Sequence, residues 1–298
     1  MPRIPPDIED CSIYLYPTKS DAKSGESAGG SGFLLGVATE YKPRQLGWHL
    51  YVVTNSHVIR EGACRVIRLN TRDGFDVLST EDGSWVHHPF GDDLAACRIS
   101  PLDVHRFSFV EYERLLSRDQ VYNNRVVVPG MDVFLVGRCF SRDGKQRNTP
   151  TVRMGNVAQL PDEPIPHLRG IDQEGFLVEM RSIGGSSGSP AFVFVKYAEM
   201  KSVSPSVQPS GLQITWKDDW MLLGVNWGHI RKREKVFQNI DGATRETDFF
   251  IEGNIGMACV VPAWKLTELI DSEPLQTQRE EEDHRRRNGP VDGLAVSD

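Results

Sequence analysis

Short apolar runs closed off by turn residues recur along the whole chain. They are "CSIYLYP" (11–17), "SGFLLGVA" (31–38), "WHLYVVTN" (48–55), "ACRVIRLN" (63–70), "DLAACRIS" (93–100), "MDVFLVGR" (131–138), "TVRMGNVAQL" (151–160), "GFLVEMRS" (175–182), "SPAFVFV" (189–195), "WMLLGVNW" (220–227) and "GMACVV" (256–261). Runs this short, rich in β-branched and aromatic side chains and bounded by Gly, Pro, Asn and Asp, read as strands. Helical spacing is confined to "FVEYERLLS" (109–117) and "PAWKLTELIDS" (262–272), the second with proline in its first turn. A helical linker flanked by strands predicts an all-β chain of two β-barrels in series. They would occupy about 10–100 and about 126–262, with a linker at 101–125 and a short closing helix at 262–271. A single unit of residues 1–271 is within the ordinary size of all-β domains. Stretches 18–30, 140–150, 197–218 and 229–254 read as irregular, the last carrying the basic cluster "RKREK" (231–235). From Ser272 to residue 298 the sequence is charged and polar, which predicts a disordered tail.

Composition narrows the partners. Apolar residues make up 39% and charged residues 25%, a soluble globular balance. A formal net charge of −7 argues against nucleic acid, which calls for a basic face. No segment approaches the ~18 apolar residues of a spanning helix, so no membrane partner is expected. The N-terminal stretch lacks the basic-then-apolar pattern of a signal peptide. The five cysteines (11, 64, 97, 139 and 259) are widely spaced and form no C-x-x-C pair. Cys97 and Cys259 fall inside apolar runs and read as buried free thiols. Together these features predict a cytoplasmic protein. The adjacent His87 and His88 cannot easily share one tetrahedral ion, so neither metal nor other cofactor is expected.

The stretch "IGGSSGSPAF" (183–192) carries the chemistry. Gly184–Gly188 fits a G-x-S-x-G elbow with Ser186 at its tip, as in an esterase of the α/β-hydrolase type. Gly185–Pro190 fits a G-x-S-G-[GS]-P loop with Ser187 as the nucleophile. The elbow needs a strand before it and a helix after it, but "SPAFVFV" reads as a strand. It also needs acid and then histidine downstream, and only His229 and His284 follow. Ser187 is therefore favoured. A serine hydroxyl needs a base within hydrogen-bond reach and a group that orients the base. His57, where "YVVTNSHVI" leaves a strand, fits the base, and "GDDLAACRI" offers Asp92 or Asp93 as the orienting carboxylate. Gly184 and Gly185 permit a tight loop. The N–H groups of Gly185 and Ser187 would then converge as an oxyanion hole.

On these residues the chain resembles the trypsin-like serine peptidases of the chymotrypsin fold, over roughly 10–271, which implies that the two barrels are six-stranded and antiparallel. The likeness is to disulfide-free members, in particular the bacterial high-temperature-requirement type. "GSGFLL" resembles that type's opening strand, "PGMDVFLVGR" the first strand of its second barrel, and "NIGMACVVPAWKLTELI" its closing strand and helix. Asp93-Leu94-Ala95 matches the family's D-[IL]-A pattern and favours Asp93 over Asp92. His, Asp and Ser stand in chymotrypsin order. "GVNWG" (224–228) resembles the substrate-pairing strand, which implies substrate-binding roles for Asn226, Trp227 and Gly228. Gly228 and Gly256 would leave the pocket mouth open, and Arg181 falls where a specificity residue would stand, suiting an acidic residue before the cut. The resemblance implies a serine endopeptidase acting on polypeptides through an acyl-enzyme. The alternative is a catalytically silent peptide-binding or regulatory module of the same fold. Three features depart from the family. Ser186 replaces the aspartate that receives a new N-terminus in zymogens, Val58 follows the histidine where secreted members carry cysteine, and no PDZ domain follows residue 271 within this chain. A role for a regulatory protein partner stays open.

Overall fold

The structure is a computed structural model. It describes residues 4–5, 7–39, 47–139, 144–166, 170, 172–180, 185–202, 212–240 and 243–288. Two β units follow one another, as the succession of short runs predicts. The first holds β1 (Ser12–Tyr16), β2 (Gly30–Ala38), β3 (Trp48–Thr54), β4 (Val66–Asn70), β5 (Phe75–Ser79), β6 (Trp85–His87), β7 (Ala95–Ile99) and β8 (Val110–Glu111). Its strand order is β5-β4-β1-β2-β3-β7-β6, with β8 parallel to β2. This unit therefore has eight strands rather than six: three-residue β6 forms one edge, and two-residue β8 pairs with Leu35–Gly36 in the middle of the sheet. The end strands β5 and β6 are consecutive in sequence, so the curled sheet is bridged at its ends by residues 80–84. Alternate residues of β2 and β3 face opposite ways, yet both faces are buried. Leu34 and Val52 join Ile13, Leu15, Ile67 and Trp85 inside the first unit. Phe33, Leu35, Tyr51 and Val53 pack with residues of the second. Burial on both sides explains why these strands read as unbroken apolar runs.

The second unit is a closed barrel. Its strands are β9 (Asp132–Gly137), β10 (Thr151–Gln159), β13 (Phe176–Met180), β14 (Pro190–Ser202), β15 (Leu212–Ile240) and β16 (Ala243–Pro262). They close in the order β10-β13-β16-β15-β14-β9, while β11 (Ile165–Pro166) and β12 (Asp172–Gln173) form a small separate pair. Phe134 and Phe192 stack inside the barrel with ring centroids 4.9 Å apart. β15 pairs with β16 as far as Ile240↔Ala243 and with β14 as far as Ser202↔Leu212. Strands thus occupy much of 197–218 and all the described part of 229–254, where loops were expected; 203–211 lies outside the described residues. The ribbon is held by cross-strand pairs of opposite charge, Arg231 with Glu252 and Lys235 with Glu246. Its charged composition hides the apolar alternation by which a strand is recognised.

Five α-helices and three short 3-10 turns (Ile8–Cys11, Asp82–Ser84 and Tyr112–Arg114) complete the described residues; the α-helices are α1 (Lys19–Ser24), α2 (Ser56–Arg60), α3 (Arg118–Tyr122), α4 (Ala263–Ile270) and α5 (Glu273–Asn288). Of the short helix expected over 109–117 only a 3-10 turn at Tyr112–Arg114 forms, and α3 follows it. Val110–Glu111 pair with Leu35–Gly36, and Ser117 caps α3 through a reciprocal capping box with Gln120. The closing helix forms as predicted, as α4. The tail does not: residues 273–288 are helical, and 289–298 lie outside the described residues. Local polarity predicted disorder, but α5 finds tertiary partners. Leu275 is fully buried. Asp283 accepts a hydrogen bond from Thr39 Oγ1 at 2.7 Å, and the Arg279 guanidinium donates to the Ile270 carbonyl at 2.8 Å. No helix among the described residues is long and apolar enough to cross a membrane.

Candidate active site

β3 delivers the candidate base. The strand ends at Thr54, Asn55 stays extended, and His57 lies in the single turn of α2. Asp93 grips His57 twice: Oδ1 accepts from the His57 backbone N–H at 2.9 Å, and Oδ2 lies 2.6 Å from Nδ1. The carboxylate is buried, whereas 22% of the imidazole is exposed. Nε2 has no partner among the described residues.

The choice between the two adjacent acids rests on what faces each. Asn55 Nδ2 donates to the Asp93 carbonyl at 2.8 Å. The Asp93 N–H donates to Gln173 Oε1 at 2.9 Å, and Gln173 Nε2 donates to Asp92 Oδ1 at 2.6 Å. One buried amide from β12 therefore holds the turn from the second unit, with Asp93 facing His57. Asp92 instead faces His88 Nδ1 at 3.1 Å and Lys265 Nζ at 3.4 Å. His88, Asp92 and Glu268 bring three metal-ligating atoms close together. The Lys265 ammonium already stands among them, 3.5 Å from Glu268 Oε2, so the protein supplies its own cation there. Gln173 has no signature in the sequence; Asn55 lies in the "TNSH" segment beside the base.

Ser187 lies in a tight turn. The Ser189 N–H donates to the Ser186 carbonyl at 3.1 Å, which makes Ser187 and Gly188 its central residues. Gly188 has φ +86°, the value a type II turn requires at that position. A Cβ there would also lie 1.9 Å from the Ser31 carbonyl oxygen and 2.3 Å from Thr54 Oγ1. The turn is thus seated on β2 and on the end of β3, three residues before His57. The Ser31 N–H donates to the Ser187 carbonyl at 2.8 Å, which ties the two units together at the loop. The Ser187 hydroxyl donates to the Trp227 carbonyl at 3.4 Å. Gly185 has φ +90°.

The other expected site residues divide. Gly228 has open space where a Cβ would stand, as a pocket mouth requires, while a Cβ on Gly256 would reach ordinary contact with the Met180 carbonyl. Trp227 is mostly buried and offers its carbonyl to Ser187. Asn226 departs from its expected role on the substrate edge. It is 1% exposed, its N–H donates to the Ser189 carbonyl at 2.9 Å, and its carbonyl accepts from Gly188 N–H at 2.8 Å. Arg181 lies outside the described residues. All five cysteines are free, and burial pushes the thiols of Cys97 and Cys259 up to about 12.

A family described as "Trypsin-like peptidase domain" matches residues 30–193, more than half of the chain. No curated protein matches. Among solved structures, a crystal structure of Deg5 is 16% identical with a TM-score of 0.45, covering 88% of this chain and 87% of that one. The Rv3671c protease in its inactive form is 12% identical with a TM-score of 0.44, covering 88% of each chain. The HtrA-type protease AlgW with a decapeptide is 15% identical with a TM-score of 0.41, covering 87% of this chain and 51% of that one.

Proposed function

From the premise that this chain belongs to the trypsin-like peptidase family, we propose that it is a serine endopeptidase working through His57, Asp93 and Ser187. The observation that carries this reading is the double grip of buried Asp93 on His57, which leaves Nε2 open. Asp93 fixes the tautomer with the proton on Nδ1, so Nε2 is the basic nitrogen. Ser187 Oγ gives up its 3.4 Å contact with the Trp227 carbonyl and turns toward Nε2. Oγ attacks the peptide carbonyl while Nε2 takes the hydroxyl proton. The Gly185 and Ser187 N–H groups receive the oxyanion; losing one such donor typically costs roughly 100- to 1000-fold in rate. The imidazolium then protonates the leaving amine. Water, deprotonated by His57, hydrolyses the acyl-enzyme and restores Ser187. With both main-chain groups of Asn226 engaged inside, an extended substrate would pair with Trp227 and Gly228, as a peptide adds to a strand edge.

The contact between Ser187 and the Trp227 carbonyl is also what favours the second reading, a peptide-binding module without turnover. A fluorophosphonate probe separates the two. Labelling of the wild type that disappears in Ser187→Ala supports the peptidase, and labelling mapped to Ser186 would sink the Ser187 assignment. A denatured proteome exposed to both proteins supplies the substrate class. Cuts made only by the wild type define it, and the residue before each cut tests Arg181 as a selector of acidic side chains.

A further inference from the structure

The turn that carries Ser187 spans Ser186–Ser189, ahead of the strand that begins at Pro190, with positive φ at Gly185 before it and at Gly188 within it. Asn226 reaches three of its residues. Two of the contacts are main-chain bonds, to Gly188 and Ser189, and any residue could make them. The third belongs to the side chain: Nδ2 donates to the Ser186 carbonyl at 2.9 Å and lies 3.1 Å from Ser186 Oγ. The Ser186 carbonyl is the same group that closes the turn by accepting from Ser189 N–H. Asn226 and Ser186 are both buried, at 1% and 4% exposure, so the bond is made away from competing water.

We infer that Asn226 is the positioning residue of the nucleophile turn. Its amide pins the first carbonyl of the turn from behind, and Ser187 on the crest is thereby held with its hydroxyl and N–H in one arrangement. The side chain touches no substrate and takes no proton. Its geometric role stands on these contacts alone; its kinetic consequence rests on the peptidase reading.

The test compares wild type, Ser187→Ala, Asn226→Ala and the isosteric Asn226→Asp, each checked for folding by circular dichroism and thermal melting. Two readouts are taken: the fluorophosphonate labelling rate with kcat and KM on a reporter peptide, and amide hydrogen exchange of the peptide spanning 185–190. Asn226→Ala should lower kcat and the labelling rate on the order of 100-fold, the scale of a lost pre-organised donor, with little change in KM. Exchange across 185–190 should quicken while the rest of the barrel keeps its protection. Asn226→Asp should behave likewise at neutral pH. On acidification its protonated carboxyl can again donate to Ser186, and exchange in the turn should slow relative to Asn226→Ala; a space-filling role would give no such reversal. A folded Asn226→Ala with wild-type labelling and wild-type exchange would overturn the inference, as would a loss confined to KM. If Asn226→Ala does not fold, Asn226→Asp decides: once the intrinsic pH dependence of amide exchange is divided out, protection of its turn that does not rise on acidification overturns the inference. An unlabelled wild type with quickened exchange in Asn226→Ala would remove the peptidase reading and leave the positioning role intact.

Discussion

His49 within β3 and His57 just beyond its end each stand against carboxylates, and their surroundings differ in the one respect that matters for chemistry. His49 is 1% exposed, with Nδ1 3.2 Å from Glu282 and Nε2 3.0 Å from Asp283, so both ring nitrogens are committed to α5. His57 has only Nδ1 committed, to Asp93, and its ring is partly open. The His88 ring also lies between two carboxylates, 3.1 Å from Asp92 and 3.3 Å from Glu268, while its Nδ1 accepts from the Phe90 N–H. A histidine beside a carboxylate is thus common in this molecule and does not by itself mark a base. What marks one is a second nitrogen left unoccupied at an open surface. The His49 seat does structural work instead, because it anchors a polar helix that has little apolar surface to bury.

The largest expected effect breaks this comparison at once if it fails. His57→Ala and Ser187→Ala should each lower kcat by roughly 10⁴- to 10⁶-fold on a reporter peptide. His49→Ala should leave kcat near the wild-type value; a comparable fall there would mean that α5 belongs to the catalytic machinery.

Next in size is the choice between the adjacent acids. Asp93→Asn should cost on the order of 10⁴-fold in kcat, because the histidine then loses its useful tautomer. Asp92→Asn should cost far less, since that carboxylate faces Gln173, His88 and Lys265. Equal losses would reverse the assignment.

Stability should show the opposite ranking of the two histidines. His49→Ala removes a buried ring between Glu282 and Asp283 and should destabilise the fold by about 2 kcal/mol in denaturant titration, below the cost of breaking an isolated buried pair because Glu282 keeps Arg98 and Arg286 and Asp283 keeps Thr39. Limited proteolysis should then cut within 273–288 in His49→Ala before it does so in His57→Ala.

The smallest effect is a pH slope. Burial holds the imidazoles of His49 and His88 below their ordinary value, against the pull of Asp283 on the first and of Asp92 and Glu268 on the second. Below about pH 6.5 the unfolded chain takes up protons at these rings that the folded protein still refuses. Their contribution to stability is therefore fully present above that pH and is lost as pH falls toward their folded values. The thermal midpoint should rise from pH 5 to pH 7, less steeply in His49→Ala. A midpoint that falls over this range would mean that His49 sits between Glu282 and Asp283 as an imidazolium.

The succession of strands, the Ser187 loop and the His57 corner are legible along the chain alone. Each is written in contiguous residues: runs such as "WHLYVVTN", a glycine exactly where the turn needs positive φ, and an apolar pair after the acid. The family match over 30–193 spans the same segments. What the tertiary structure decided lies in contacts between residues far apart in the chain. Gln173 reaches 80 positions back to Asp93 and separates it from Asp92, and Asn226 turns from the expected substrate edge to hold Ser186. Thr39 and His49 meet α5 more than 230 positions away, which gives order to a segment whose composition reads as disordered. A hydrogen bond or a buried ion pair depends on where a partner stands in space. Propensity and periodicity record only neighbours along the chain.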